Sequence, residues 1–204
     1  MRPEAGRASS LLALACIALA LLPDSVSASL AFEREALCSE QWWRMWTGHL
    51  VHFGLEHALG DAAVVFVCGA FLERRIGARR LVPRLLLAAP LISLVLLLAA
   101  PGMLEYRGAS ALATMLAAMT AIVLHAQRHW RPALLACAAA FGLWTLAQAQ
   151  GVGVNLAGLP LGVGIAWQAH LAGAACALLL RPDLRPALAS RYQATEYQTS
   201  RHES

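Results

Sequence analysis

The chain alternates long apolar runs with short polar segments. Pro83 and Pro90 fall inside the third run and are predicted to bend it. The runs approach the roughly 20 residues that a helix needs to cross a bilayer, although several are shorter. The pattern predicts an all-α polytopic membrane protein, a bundle of six helices. The six runs lie at about residues 9–23, 49–72, 82–100, 110–127, 132–149 and 162–180.

Composition and charge support this prediction and add an orientation. The chain is 59% hydrophobic and 14% charged, outside the usual range of soluble domains. All 16 basic residues are arginine, and they lie at the ends of apolar runs, which indicates topology rather than nucleic-acid binding. With the N-terminus inside, the inner segments hold 13 arginines and the outer segments 3. The positive-inside rule therefore predicts that both termini are cytoplasmic.

This topology divides the chain into three parts. Residues 1–8 are predicted to be a cytoplasmic N-terminus, residues 9–181 a six-transmembrane domain, and residues 182–204 a cytoplasmic polar tail. The first run also has the features of a signal peptide, with two arginines, an apolar core and a Ser-Val-Ser-Ala cleavage site. The charge pattern fits a retained helix equally well, so both interpretations stay open.

Two polar residues in the apolar runs have complementary chemistry. Ser110 follows Gly108 and Ala109 where a polar loop turns into the fourth run, and His170 lies inside the sixth. An imidazole within a membrane segment marks a candidate functional site. A hydroxyl that this imidazole can deprotonate is the other half of a nucleophile–base pair. The pair predicts a serine protease within the bilayer, with a Ser–His dyad, since no third residue is placed to orient His170.

Helix geometry bears on this pair in two ways. At about 1.5 Å per residue, Ser110 lies roughly 25 Å above the inner end of its run and His170 only about 16 Å above its own. Small residues follow both at helical spacing, which lets two helices approach closely. The free N–H groups of a helix start favour a developing anion. The Ser110 amide and His57 are therefore predicted to stabilise a tetrahedral intermediate.

Four ordered motifs resemble the rhomboid family of intramembrane serine proteases. They are Trp43–His57, Glu73–Gly77, Gly108–Ser110 and Ala169–Gly173. The resemblance spans nearly the whole chain and implies a six-helix rhomboid-like fold. It also implies membrane-anchored protein substrates and no cofactor or metal.

The same resemblance implies a role for each site residue. Ser110 would be the nucleophile and His170 the general base. His57, Asp61 and the Ala109 backbone amide would form the oxyanion hole. The loop at residues 151–164 and the fifth helix would gate substrate access from the lipid.

Two segments narrow the resemblance further. Trp46–His52 and Tyr106–Gly108 are most similar to the rhombosortase branch. That branch is implied to cleave C-terminal sorting segments of exported proteins, made of paired glycines, a hydrophobic helix and a basic tail. The resemblance implies a multi-pass protein of the bacterial inner (plasma) membrane.

Three positions depart from the family pattern. Asp61 stands where the family usually has asparagine, and an ionised carboxylate would repel an oxyanion. Ala111 replaces the glycine after the nucleophile, and Thr114 replaces an aromatic residue that often stacks on the histidine. These departures leave one alternative open, a catalytically impaired rhomboid-like protein that binds membrane clients. Both members of the dyad are nevertheless present.

Other chemistries fit the sequence less well. His49, His52 and His57 spread around a helix, and no His-Glu-x-x-His motif occurs, so no metal site is predicted. An aspartyl protease would need a second membrane aspartate besides Asp61, and the sequence has none. A transporter with a proton or substrate pathway at His170 remains a rival interpretation of that residue alone.

Overall fold

The computed structural model describes residues 6–125, 130–150, 159 and 163–181. These residues form nine helices and two very short strands. The helices are α1 (Arg7–Ala20), α2 (Asp24–Leu30), α3 (Arg34–Cys38), α4 (Arg44–Thr47), α5 (Leu55–Ile76), α6 (Ala78–Ala99), α7 (Ser110–His125), α8 (Arg131–Ala149) and α9 (Trp167–Leu179). The strands are β1 (Phe32–Glu33) and β2 (Glu105–Tyr106).

The fold is mostly helical, as the apolar pattern predicts. Helices α5, α6 and α8 are long and apolar enough to cross a membrane, and α1 and α7 are shorter apolar helices. The number of six spans, the cytoplasmic termini and the three-part division stay predictions. The expectation of an all-α chain misses the strands, which pair antiparallel. The polar tail at 182–204 lies outside the described residues, as do the first five residues of the N-terminal segment.

Helix α5 begins later than the second apolar run. Residue 49 starts that run, but the helix starts at Leu55, and the residues between α4 and α5 form a loop. His49 holds this loop against α6, with Nε2 3.0 Å from the Ala89 carbonyl oxygen and 3.1 Å from Ser93 Oγ. Burial lowers the pKa of His49 to about 4, so its ring is neutral at physiological pH.

Helix α6 continues through both of its prolines. Pro90 has no N–H, so the Leu86 carbonyl four residues earlier lacks its helical donor. The Trp46 indole supplies that donor, with Nε1 2.9 Å from the Leu86 oxygen. Helix α4 therefore docks on α6 through a hydrogen bond as well as through packing.

Residues between α1 and α5 contact the segment that leads into α7. Phe32 pairs with Tyr106 in the β1–β2 ladder. Arg107 donates to Asp24 and to Glu105, each at 2.5 Å. Burial alone would lower the pKa of this guanidinium, but its two acidic partners raise the pKa above the usual value. Short strands and ion pairs thus fix the segment that precedes α7.

Helix α1 packs against α5 through a buried carboxylate. Glu73 accepts hydrogen bonds from the Gly6 N–H at 2.9 Å and from the Ser9 N–H at 2.6 Å, and also from the Ser9 hydroxyl. A Cβ at Gly69 would lie only 2.2 Å from Ser9 Oγ, so the helices touch closely there. An anion at a helix N-terminus is favourable, so Glu73 caps α1. These contacts hold the start of α1 against α5.

The Glu73 cap gives a first test of this packing. Glu73→Gln keeps the side-chain shape but puts an amide donor toward N–H groups, leaving a buried donor unpaired. We expect a loss of about 1–3 kcal/mol in the free energy of unfolding, read as a lower Tm in detergent. Glu56→Gln, at an exposed site on the same helix, is the matched control and should leave Tm unchanged. Equal Tm values for the two variants would contradict the role of Glu73.

Candidate active site

Ser110 begins α7 directly after a tight backbone turn. Gly108 has a φ of 141°, a backbone conformation that residues with a side chain rarely adopt. A Cβ at Gly108 would lie 2.9 Å from His57 Cε1, so the backbone also passes close to that ring. The Gly108 N–H donates to the Gly48 carbonyl at 3.1 Å, and Tyr106 Oη donates to the Gly108 carbonyl at 2.7 Å. The turn is therefore held from two sides.

Helices α7 and α9 are closest at the residues next to the predicted dyad. A Cβ at Gly173 would lie 2.1 Å from the Ala111 carbonyl oxygen, so only glycine fits there. Ala111 follows Ser110 in the chain, and Gly173 lies one turn after His170 on the same helix face. The sequence predicts that Ser110 and His170 lie at different depths, but these parts of α7 and α9 are in contact in the structure. The structure brings the backbones that carry Ser110 and His170 together.

The two side chains have different neighbours in this structure. The Ser110 hydroxyl lies beside the Tyr106 phenol, whose own hydroxyl donates to the Gly108 carbonyl. Burial raises the pKa of Tyr106 well above its usual range, so its phenol stays protonated. His170 is buried, and its Nδ1 has no hydrogen-bond partner among the described residues.

The residues expected at the oxyanion hole form one cluster. Asp61 Oδ2 lies 3.2 Å from His52 Nε2 and 3.5 Å from His57 Nε2. The Ala109 N–H points to the same His52 nitrogen, at 3.2 Å. One nitrogen cannot donate to Asp61 and accept from Ala109 in a single protonation state. The tautomer of His52 therefore decides whether the Ala109 amide is engaged or free.

A ring and a cation cover this cluster on its outer side. The Phe53 ring stacks on His57 with centroids 6.5 Å apart and planes 6° apart. The Arg107 guanidinium carbon lies 4.9 Å from the Phe53 centroid, a cation–π contact. His57 thus lies between Asp61 and an aromatic side chain that also contacts a positive charge.

Sequence reasoning misses three residues of the site. His52 stands out only as part of a motif, although its buried ring accepts the Ala109 N–H. Tyr106 stands out only beside the branch motif, and Trp144 resembles any aromatic residue of an apolar run. The Trp144 ring lies against His170, with centroids 5.0 Å apart and planes at 36°. The β1–β2 pairing brings Tyr106 to the site, and the hydrophobic periodicity of the sequence does not reveal that pairing.

The described part of the chain contains no group of three or more His, Cys, Asp or Glu residues that could hold a metal ion. The predicted access loop at residues 151–164 lies mostly outside the described residues, so its gating role stays a prediction. His125 is described at the end of α7, while its neighbour at position 129 lies outside the described residues.

Packed apolar helices around a serine at a helix start and a buried histidine define a multi-pass membrane protein. The sequence profile of the Rhomboid domain matches residues 39–184. The match covers more than half of the 204 residues, and the chain belongs to the rhomboid family, whose members are serine proteases acting on membrane proteins within the bilayer. No curated protein matches the chain.

Proposed function

We propose that this protein is an intramembrane serine endopeptidase with Ser110 as nucleophile and His170 as general base. The observation that carries the proposal is the close contact between Ala111 and Gly173. Only helices that approach this closely let a serine on one and a histidine on the other share a proton. The buried surroundings of both residues favour chemistry shielded from bulk water.

The chemistry follows from the surroundings of the two side chains. Ser110 Oγ turns from Tyr106 to His170, since catalytic hydrogen bonds often form only with substrate bound. His170 takes the hydroxyl proton while the oxygen attacks the scissile carbonyl, and it then passes that proton to the leaving amine. Water, activated by the same imidazole, hydrolyses the acyl-enzyme and restores Ser110.

The oxyanion is stabilised by donors at the start of α7. The Ser110 N–H belongs to a first helical turn and has no helical acceptor. The Ala109 N–H becomes available when His52 Nε2 carries a proton and donates to Asp61 instead. His57 supplies a further N–H at the same cluster. In this proposal Asp61 holds the two histidines, and its contacts with them turn its charge away from the oxyanion.

The alternative function, a catalytically impaired protein that binds membrane clients, has its own support. The Ser110 hydroxyl lies beside Tyr106, and the Ala109 amide is directed at His52. An enzyme locked in this arrangement would lack both its nucleophile and an oxyanion donor. The two functions therefore differ in whether Ser110 can be activated at all.

A fluorophosphonate probe separates the two functions, because it reacts with activated serines and needs no knowledge of the client. We expect purified protein in detergent to be labelled once per chain, at Ser110. Ser110→Ala should remove the labelling and His170→Ala should slow it strongly, with both variants folded. Absence of labelling in folded wild-type protein would refute the enzyme and favour the client-binding protein.

The branch-specific motifs support a narrower substrate class. We propose that the clients are exported proteins with a C-terminal sorting segment of paired glycines, an apolar helix and a basic tail, cleaved at the bacterial inner membrane. In cells that carry Ser110→Ala, such proteins should keep their C-terminal segments, which mass spectrometry of their C-termini measures. Trimming that continues in this strain would refute the substrate class while leaving the protease activity untouched.

A further inference from the structure

The general base has an aromatic neighbour on a helix that contributes neither member of the dyad. Trp144 lies in α8, and its ring is 5.0 Å from the His170 ring, centroid to centroid. Phe141, one turn earlier, supports the indole from 6.0 Å. Thr114, one turn after Ser110, offers no ring, and its hydroxyl donates to the Ser110 carbonyl at 2.8 Å. Among the described residues, the ring contact to His170 therefore comes from α8.

Helix α8 is loosely attached to the rest of the protein. Of the residues described in this helix, only Thr145 is buried. Its leucines face outward, with Leu135, Leu143 and Leu146 exposed by 65%, 69% and 58%. Trp144 is half-buried and points to the bundle, next to Thr145. The indole is thus one of the few side chains through which this helix touches the site.

We propose that Trp144 is a positioning residue that fixes the His170 imidazole and makes its orientation depend on the place of α8. This inference rests on the proposed function, because it assigns the ring a role in proton transfer. His170 lacks a hydrogen bond at Nδ1 among the described residues, so its tilted ring contact with Trp144 helps to limit rotation of the imidazole. When α8 moves outward, the indole leaves with it and the base loses its orientation. The site is then competent only with α8 packed against it.

The test compares three replacements of Trp144 in proteoliposomes, with a single-span peptide substrate. Trp144→Leu keeps an apolar side chain but removes the ring, and we expect kcat to fall about 10-fold with KM changed less than about 2-fold. Trp144→Ala should give the same changes in kcat and KM as Trp144→Leu. Trp144→Phe restores a ring and should keep kcat within about 3-fold of wild type. If Trp144 served only to pack α8, its replacement would change Tm instead. If it served only to gate substrate entry, its replacement would change KM instead.

Leu143→Ala is the matched control, because it truncates the neighbouring lipid-facing side chain and should leave both constants unchanged. Fluorophosphonate labelling of Ser110 provides a readout without substrate, and its rate should fall with kcat in Trp144→Leu. Full kcat and full labelling in Trp144→Leu would overturn the inference, as would a loss confined to KM. Wild-type protein that shows no Ser110-dependent labelling would instead overturn the proposed function.

Discussion

Replacing Ser110 with alanine is expected to lower cleavage of a membrane-spanning substrate by about 10⁴-fold or more, measured in proteoliposomes. The variant loses the only atom that forms the acyl bond, while an alanine at this position would still allow α7 to start there. His170→Ala should cost nearly as much, because an unassisted serine is a weak nucleophile at neutral pH. Ser110→Ala should not lower Tm by more than a few degrees, since Ser110 carries little of the core.

The double variant makes this prediction sharper. Residues that act as one unit show non-additive losses, so Ser110→Ala with His170→Ala should be no slower than Ser110→Ala alone. Ser29→Ala, in the outer segment, is the control for loss of a hydroxyl and should retain full activity. Losses that multiply in the double variant would show that the two residues act separately, and the dyad would have to be abandoned.

Replacing Gly173 with alanine is expected to reduce activity by about 100-fold although the change adds one methyl group. The new Cβ would lie 2.1 Å from the Ala111 carbonyl oxygen, which is backbone and cannot rotate away. Helices α7 and α9 must therefore separate, at a cost of about 1–3 kcal/mol in unfolding free energy. The separation acts where the nucleophile and base meet, so both the Tm and the cleavage rate should fall.

Gly60→Ala is the matched control for this prediction. It also adds a methyl group to a helical glycine, but no described atom lies within 4 Å of the position that its Cβ would take. Alanine is the better helix former, so this variant should be unchanged or slightly more stable. A Gly173→Ala variant that kept its activity would mean that the close approach of α7 and α9 has no part in catalysis.

The sequence is most informative where its pattern is periodic. Apolar runs locate α6 and α8 to within a few residues, and the family motifs alone point to Ser110 and His170. Helix boundaries are predicted poorly where polar contacts decide them. The second run predicts helix from residue 49, but His49 turns to α6 and leaves a loop in its place.

Contacts between distant segments cannot be predicted from spacing. Nothing in the sequence places Trp144 beside His170, because an indole in an apolar run fits lipid as well as it fits an imidazole. The contact between His52 and Asp61 likewise depends on a loop conformation. Small residues at helical spacing indicate close packing, but the folded chain selects Gly173 as the point where α9 meets α7.

The turn before Ser110 is built from short strands, ion pairs and backbone hydrogen bonds that belong to the segments between the helices. Its shape is therefore set by protein and not by the surrounding lipid. A change in bilayer thickness that tilts the long helices would reach Gly108 through the Phe32–Tyr106 pairing, the Gly48 carbonyl and the adjacent His57 ring. Such a scaffold lets the apolar surface adapt to membranes of different depth while the reacting hydroxyl keeps its local frame.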